Sequence, residues 1–165
     1  MTDFKVNDSV IHCREGLSKI FAINTINECN YFLVRAKGNH GETIYVPFSS
    51  ANDIIRPIMT KKEADELLKY MKNIKKEFNT NTKQRRDEYK RKLLSGDVKE
   101  IAYLSRQIYF YFKIGGENNT EIKLGPVDFD MLNYAHNMLM DELALTYDKT
   151  RDEIESFVAR RIAKL

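Results

Sequence analysis

The residues with most reach for chemistry lie between positions 83 and 92. There Lys83-Gln84-Arg85-Arg86-Asp87-Glu88-Tyr89-Lys90-Arg91-Lys92 packs six cations and two carboxylates into ten positions. Lys and Arg projecting from one helix can pair with phosphates and release counterions, so the run fits a polyanion. It equally fits a solvated helix face, because Asp87 and Glu88 fall within i, i+3 or i+4 of Lys83, Arg91 and Lys92. The run alone leaves both readings open. Nothing in it has the form of a recognition helix, so contact with DNA would be mainly to the backbone.

Catalysis finds no comparable set. His12, Cys13, Cys29 and His40 are the only grouping that approaches a four-ligand zinc site, yet no Cys-x-x-Cys or His-x-x-x-His spacing supports it. His136 sits beside an apolar helical stripe, where a hydrogen-bonded structural histidine is the expectation. The carboxylate pairs Asp128/Asp130 and Asp141/Glu142 read as solvated helix faces rather than as a metal or acid–base centre. No P-loop, dinucleotide glycine pattern or nucleophile elbow occurs among only seven glycines. A non-enzymatic binding protein that needs no cofactor is therefore expected.

Composition agrees with a folded chain. Of 165 residues, 42% are hydrophobic and 31% charged, and the net charge is +3. That charge is unevenly spread: residues 1–60 carry 6 basic and 6 acidic side chains, whereas 61–92 carry 12 and 6. Two irregularly placed cysteines make no disulfide framework and point to a reducing cytoplasm. The first residues lack a signal-peptide pattern, and the longest strongly apolar run, Ile108–Phe112, is too short for a membrane span.

These residues must be held by two kinds of element. From Phe4 to Pro47, stretches rich in Ile, Val, Phe and Tyr predict strands at Ser9–His12, Leu17–Ile23, Tyr31–Ala36 and Thr43–Val46. Turn signals at Asn7-Asp8, Glu15-Gly16, Asn27–Asn30 and Lys37–Gly41 separate them. Four or five short strands in some fifty residues imply a small bent barrel of the SH3 or Tudor kind. Ile44-Tyr45-Val46, before Pro47, could be an edge strand open to another protein or an interior strand of that barrel.

Beyond Ile55-Arg56-Pro57-Ile58 the period becomes helical. Thr60 with Glu63 opens a first helix at 61–78, with Leu67, Met71, Ile74 and Phe78 on one face. Asn79–Thr82 breaks it, a basic helix runs to Leu94, and Ser95-Gly96 closes that one. Asp97 with Glu100 starts a third helix carrying Ile101, Leu104, Ile108 and Phe112, which Gly115–Asn119 ends. Gly125-Pro126 with Asp128 starts a fourth, striped by Leu132, Ala135, Leu139 and Leu143. Thr150 with Glu153 caps a fifth, bearing Ile154, Phe157, Val158, Ile162 and Leu165. The expected fold is α+β: a β barrel over 1–59, then a compact five-helix bundle over 60–165.

Several of these stretches together resemble the CarD family of bacterial RNA polymerase-binding transcription regulators. Phe4-Lys5-Val6-Asn7-Asp8-Ser9-Val10-Ile11-His12 is similar to the family's opening Phe-x-Val-Gly-Asp-x-Val-Val-His/Tyr, and Gly16 matches the glycine that follows. Val46-Pro47 and Ile55-Arg56-Pro57-Ile58 resemble the end of its polymerase-interacting domain. In the helical half, Arg85 and Lys92-Leu93-Leu94-Ser95-Gly96-Asp97-Val98, then Ile101-Ala102, resemble its Arg…Lys-Leu-x-Ser-Gly-Asp run. Met131-Leu132, Ala135 and Glu142-Leu143-Ala144 resemble its Met-Leu…Ala…Glu-Leu/Ile-Ala stretch.

The resemblance implies a Tudor-like domain, residues 1–59, that docks on the RNA polymerase β subunit by pairing Thr43, Ile44, Tyr45 and Val46 with it. It implies a helical domain, residues 60–165, that touches promoter DNA at the upstream fork and alters the lifetime of the open complex. Lys83, Arg85, Arg86 and Lys90 would hold phosphates there, beside Thr82. The protein would be a cytoplasmic monomer, drawn to the nucleoid through polymerase and without a membrane partner. Two positions depart from the family pattern. Members usually carry a Trp wedge at the start of the second helix, where this chain has Thr82 and no Trp anywhere. The arginine often found before Val-Pro is Tyr45 here. An adaptor that uses the β module without binding DNA is the alternative.

Overall fold

The computed structural model describes residues 3–38, 41–111 and 124–165. The chain forms two compact units, Met1–Met59 and Thr60–Leu165. The first is built on β1 (Ser9–His12), β2 (Gly16–Ile26), β3 (Cys29–Ala36), β4 (Ile44–Pro47) and β5 (Ile55–Pro57), in the order β4-β3-β2-β1-β5, all antiparallel. Alternation sends Val10, Ile20, Phe32, Val34 and Val46 to one face, where they pack with Phe4, Ala51 and Ile55. The β2–β3 hairpin is tighter than the sequence predicts. Asn27 and Glu28, with φ of 48° and 65°, form a two-residue turn, which leaves Cys29 and Asn30 in the strand.

The expected barrel is an open sheet. Among the described residues β4 and β5 each pair on one side only. The chain between them folds as a 3-10 turn at Phe48–Ser50 and one helical turn, α1 (Ala51–Ile54). Ala51 is buried and Ile54 packs on the same core, so this helical connection covers apolar surface that barrel closure would otherwise have buried.

The second unit holds α2 (Lys61–Asn73), α3 (Thr82–Leu94), α4 (Val98–Tyr109), α5 (Pro126–Thr146) and α6 (Arg151–Lys164). With α1 there are six α-helices among the described residues, where the sequence predicts five. Capping boxes form at Thr60/Glu63 and Thr150/Glu153. At α4 only half of the expected pair forms: Asp97 accepts from the Lys99 amide, while Glu100 turns to Lys92 and Arg91. Leu67, Leu68, Met71, Leu104, Leu132, Leu139, Leu143, Ile154 and Val158 build the core. Leu165, expected on the inward face of the last helix, is exposed. Phe112 and Gly115–Asn119 lie outside the described residues.

α2 stops at Asn73 rather than at Phe78, for a tertiary reason. Gln107, wholly buried on α4, accepts from the Glu77 amide at 3.0 Å and donates to the Lys75 carbonyl at 2.8 Å. Those bonds hold the backbone out of the helical ladder, and Ile74 is extended, at φ −69° and ψ 129°.

Candidate protein-docking edge and candidate nucleic-acid interface

The first candidate surface is the free side of β4. Its partner strand takes one row of its N–H and C=O groups through the pairs Tyr31↔Pro47, Phe32↔Val46, Leu33↔Tyr45 and Val34↔Ile44. The other row faces away from the sheet, as at any edge. Thr43 stands one residue before the strand, so the ladder begins at Ile44. Val46 is wholly buried and fixes the register, whereas Tyr45 is 50% exposed on the opposite face. The Tyr31 ring meets Tyr45 edge-on, with centroids 6.2 Å apart. Phe48, 40% exposed, stacks on buried Phe32 at 4.1 Å. Tyr31 and Phe48 escape a sequence reading because they join Tyr45 at this edge only through cross-strand and turn geometry.

The second candidate surface is α3, whose cations divide between two faces. Arg85, Tyr89 and Lys92, at i, i+4 and i+7, are the buried face. The Arg85 guanidinium grips Asp128 with two bonds, Nε to Oδ1 at 3.1 Å and Nη2 to Oδ2 at 3.0 Å. It also donates to the Asn79 carbonyl at 2.8 Å and lies 4.6 Å over the Phe78 ring. Arg85 is 4% exposed and Asp128 not at all. Arg85 thus turns into the bundle, where Nε, Nη1 and Nη2 each make a bond, rather than onto an outward face. Asp128, expected on a solvated face, is the buried partner that locks α3 to the start of α5, where it also accepts from the Gly125 amide at 3.2 Å. Glu142 is likewise buried rather than solvated, on the inward face with Leu139.

Electrostatics follow from this pairing. Burial alone would raise the Asp128 pKa, but the hydrogen bonds and charge of Arg85, aided by Arg86, outweigh it and hold the carboxyl below the usual range. The bond to Asp128 raises Arg85 against the opposing effect of burial. Lys92 ion-pairs with Glu100, lies 4.5 Å over the Tyr103 ring, and reaches Glu88 at 3.8 Å. Its hydrogen bond is the chief reason the Glu100 pKa is lowered.

Lys83, Arg86 and Lys90 recur at i, i+3 and i+7, on a stripe turned away from that face. Lys83 and Lys90 are exposed, and the Arg86 side chain is 39% exposed with its Nε 3.5 Å from Asp128. Thr82 is exposed at the first turn, after Asn81 has capped the helix by accepting from the Gln84 amide at 3.0 Å. The sequence set Thr82, Lys83, Arg85, Arg86 and Lys90 thus divides: Thr82, Lys83 and Lys90 are exposed, Arg86 is half-exposed beside Asp128, and Arg85 is buried.

The other candidates separate. His12 and Cys13 lie at one end of β2 and Cys29 at the other, roughly 30 Å away at the usual rise per strand residue. His40 lies outside the described residues. The His12 Nδ1 accepts from the Arg14 and Glu15 amides, and burial lowers its pKa. His136 is held on both nitrogens, by Ser105 at 2.9 Å and Glu155 at 3.0 Å, as a structural histidine would be. Among the described residues no helix is long and apolar enough to cross a membrane.

Two family models match the chain. One, described as the CarD-like/TRCF RID domain, matches residues 4–59, and the other, described as the CarD C-terminal domain, matches residues 66–159.

Proposed function

The chain belongs to the CarD family, whose domains mark a transcription-associated, RNA polymerase-interacting protein, and on that premise we propose how its two units divide the work. The first unit docks on the polymerase β subunit by adding a strand to the free side of β4. The observation that carries this reading is that, among the described residues, β4 pairs with a strand on one side only, and that this edge is flanked by exposed Tyr45 and Phe48. Main-chain bonds supply affinity in this mode of recognition, and the flanking side chains supply specificity. Pro47, with no N–H, ends the pairing.

The second unit holds promoter DNA by its backbone through Lys83, Arg86 and Lys90, with Thr82 nearest the fork. No reaction is catalysed. The lifetime of the open complex changes because these contacts are better in one promoter state than another. Three phosphate contacts imply a slope near −2.7 in log K against log salt, or about a 40-fold loss of affinity between 50 and 200 mM.

The test measures binding to forked promoter DNA across salt, together with capture of polymerase β. Lys83→Gln and Lys90→Gln are each expected to flatten the slope by about 0.9 without changing sequence preference. Tyr45→Asp is expected to abolish capture of β. Unchanged slopes in both lysine variants would refute the DNA assignment, and undiminished capture by Tyr45→Asp would refute the docking face. The alternative adaptor reading draws on Arg85 being withdrawn and on Thr82 standing at the wedge position. It requires salt-independent, negligible affinity for the fork in the wild-type protein.

A further inference from the structure

Helices α2, α4, α5 and α6 leave a cavity of about 330 Å³ between them. Its apolar lining comes from Met71 of α2, Ile108 of α4, Met140 of α5, and Val158 and Ile162 of α6, all buried side chains. Spaces between bundle helices, apolar with a few convergent polar groups, are where small ligands are held. The volume is about twice the ~150 Å³ of a cavity that takes up benzene, which scales to roughly a dozen non-hydrogen atoms.

Two kinds of polar group reach this space. Ser105, His136 and Glu155 form a chain with bonds of 2.9 and 3.0 Å, and Arg151 donates to the same Glu155 oxygen at 3.0 Å. That chain is satisfied within itself. Arg106 is different. Its guanidinium stacks on the Tyr109 and Phe110 rings at 4.5 and 4.9 Å, and its Nε is buried without a hydrogen-bond partner among the described residues. Burial pulls its pKa below the usual arginine value, while the Tyr109 side chain, close by and hydrogen-bonded to the guanidinium, pulls the other way. Arg106 lines this largely apolar space, and a cation there is matched by an anionic acceptor carried on an apolar body.

We infer that this cavity binds a small amphipathic carboxylate, its apolar body among Met71, Met140 and Val158 and its carboxylate on Arg106. The site stands on its own residues and does not depend on the polymerase or DNA contacts.

Decanoate, with about a dozen non-hydrogen atoms, is the probe, and decanol is its uncharged counterpart. Calorimetric titration of the full chain should give saturable one-to-one decanoate binding with a Kd below about 1 mM, and decanol at least tenfold weaker. Arg106→Gln should bring decanoate down to the level of decanol. Ala159→Leu, which fills the cavity from α6, should remove binding of both. The wild-type comparison decides even if a variant fails to fold. Absence of saturable decanoate binding, equal binding of the two probes, or full binding by a folded Ala159→Leu protein would overturn the site.

Discussion

Replacing Asp128 by Asn tests whether the Arg85–Asp128 pair is the strut on which α3 stands. The perturbation keeps the shape and removes the charge. In the wild-type protein both carboxylate oxygens accept from Arg85, at 3.1 and 3.0 Å, with both side chains buried. The Asn carboxamide retains one acceptor and turns a donor toward a guanidinium donor. Breaking one side of a buried ion pair costs about 3–5 kcal/mol, and the retained acceptor puts this variant near the lower end. With a urea slope of about 2 kcal/mol/M, the midpoint should fall by about 1.5 M. Replacing both partners together, Arg85→Met with Asp128→Leu, should recover part of that loss, since apolar residues of similar volume carry no charge to desolvate, while the Asn79 carbonyl and Gly125 amide lose their partners. The doubly substituted protein should also keep the wild-type salt slope for DNA. A midpoint loss under about 0.5 M for Asp128→Asn, or a slope flattened by about one in the folded double variant, would refute the strut.

The same pair sets a pH dependence. The folded Asp128 carboxyl titrates below its ordinary value of 3.8, so it contributes stability that is present above that value and is lost as pH falls through the lower folded pKa. The gap in urea midpoint between wild type and Asp128→Asn should therefore narrow on acidification below about pH 4.

Three further outcomes are expected. Thr82→Trp should lengthen the open-complex lifetime about fivefold or more, the equivalent of the ~1 kcal/mol lower bound of base–aromatic stacking; an unchanged lifetime would mean that the start of α3 does not reach the fork. Gly96, at φ 71° just past α3, allows the chain to turn back, and Gly96→Ala should cost about 1 kcal/mol in urea unfolding. Gln107→Leu should cost about 1–3 kcal/mol by leaving the Glu77 amide and Lys75 carbonyl unpaired, and should speed hydrogen exchange at Glu77.

Much of the local structure was legible because its causes are local. Strand alternation, the Thr60/Glu63 and Thr150/Glu153 boxes, Gly96 after α3 and Pro126 at the start of α5 all act within a few residues. Errors arose where a distant group competed. Gln107 shortened α2 from some thirty residues away, and Lys92 drew Glu100 out of its expected capping role.

The sequence by itself determined the change from period two to helical period near Thr60, the cationic character of α3, and the motifs shared with the CarD family. It could not assign the faces of α3. Hydropathy separates inside from outside only when the inside is apolar, and the inward residues here are Arg85, Tyr89 and Lys92. Tertiary structure decided that matter by bringing Asp128 from 43 residues away to neutralise Arg85, which leaves Lys83 and Lys90 exposed and Arg86 half-exposed beside the pair. It also decided that β4 is an edge, because strand order is a non-local property that composition and spacing do not encode.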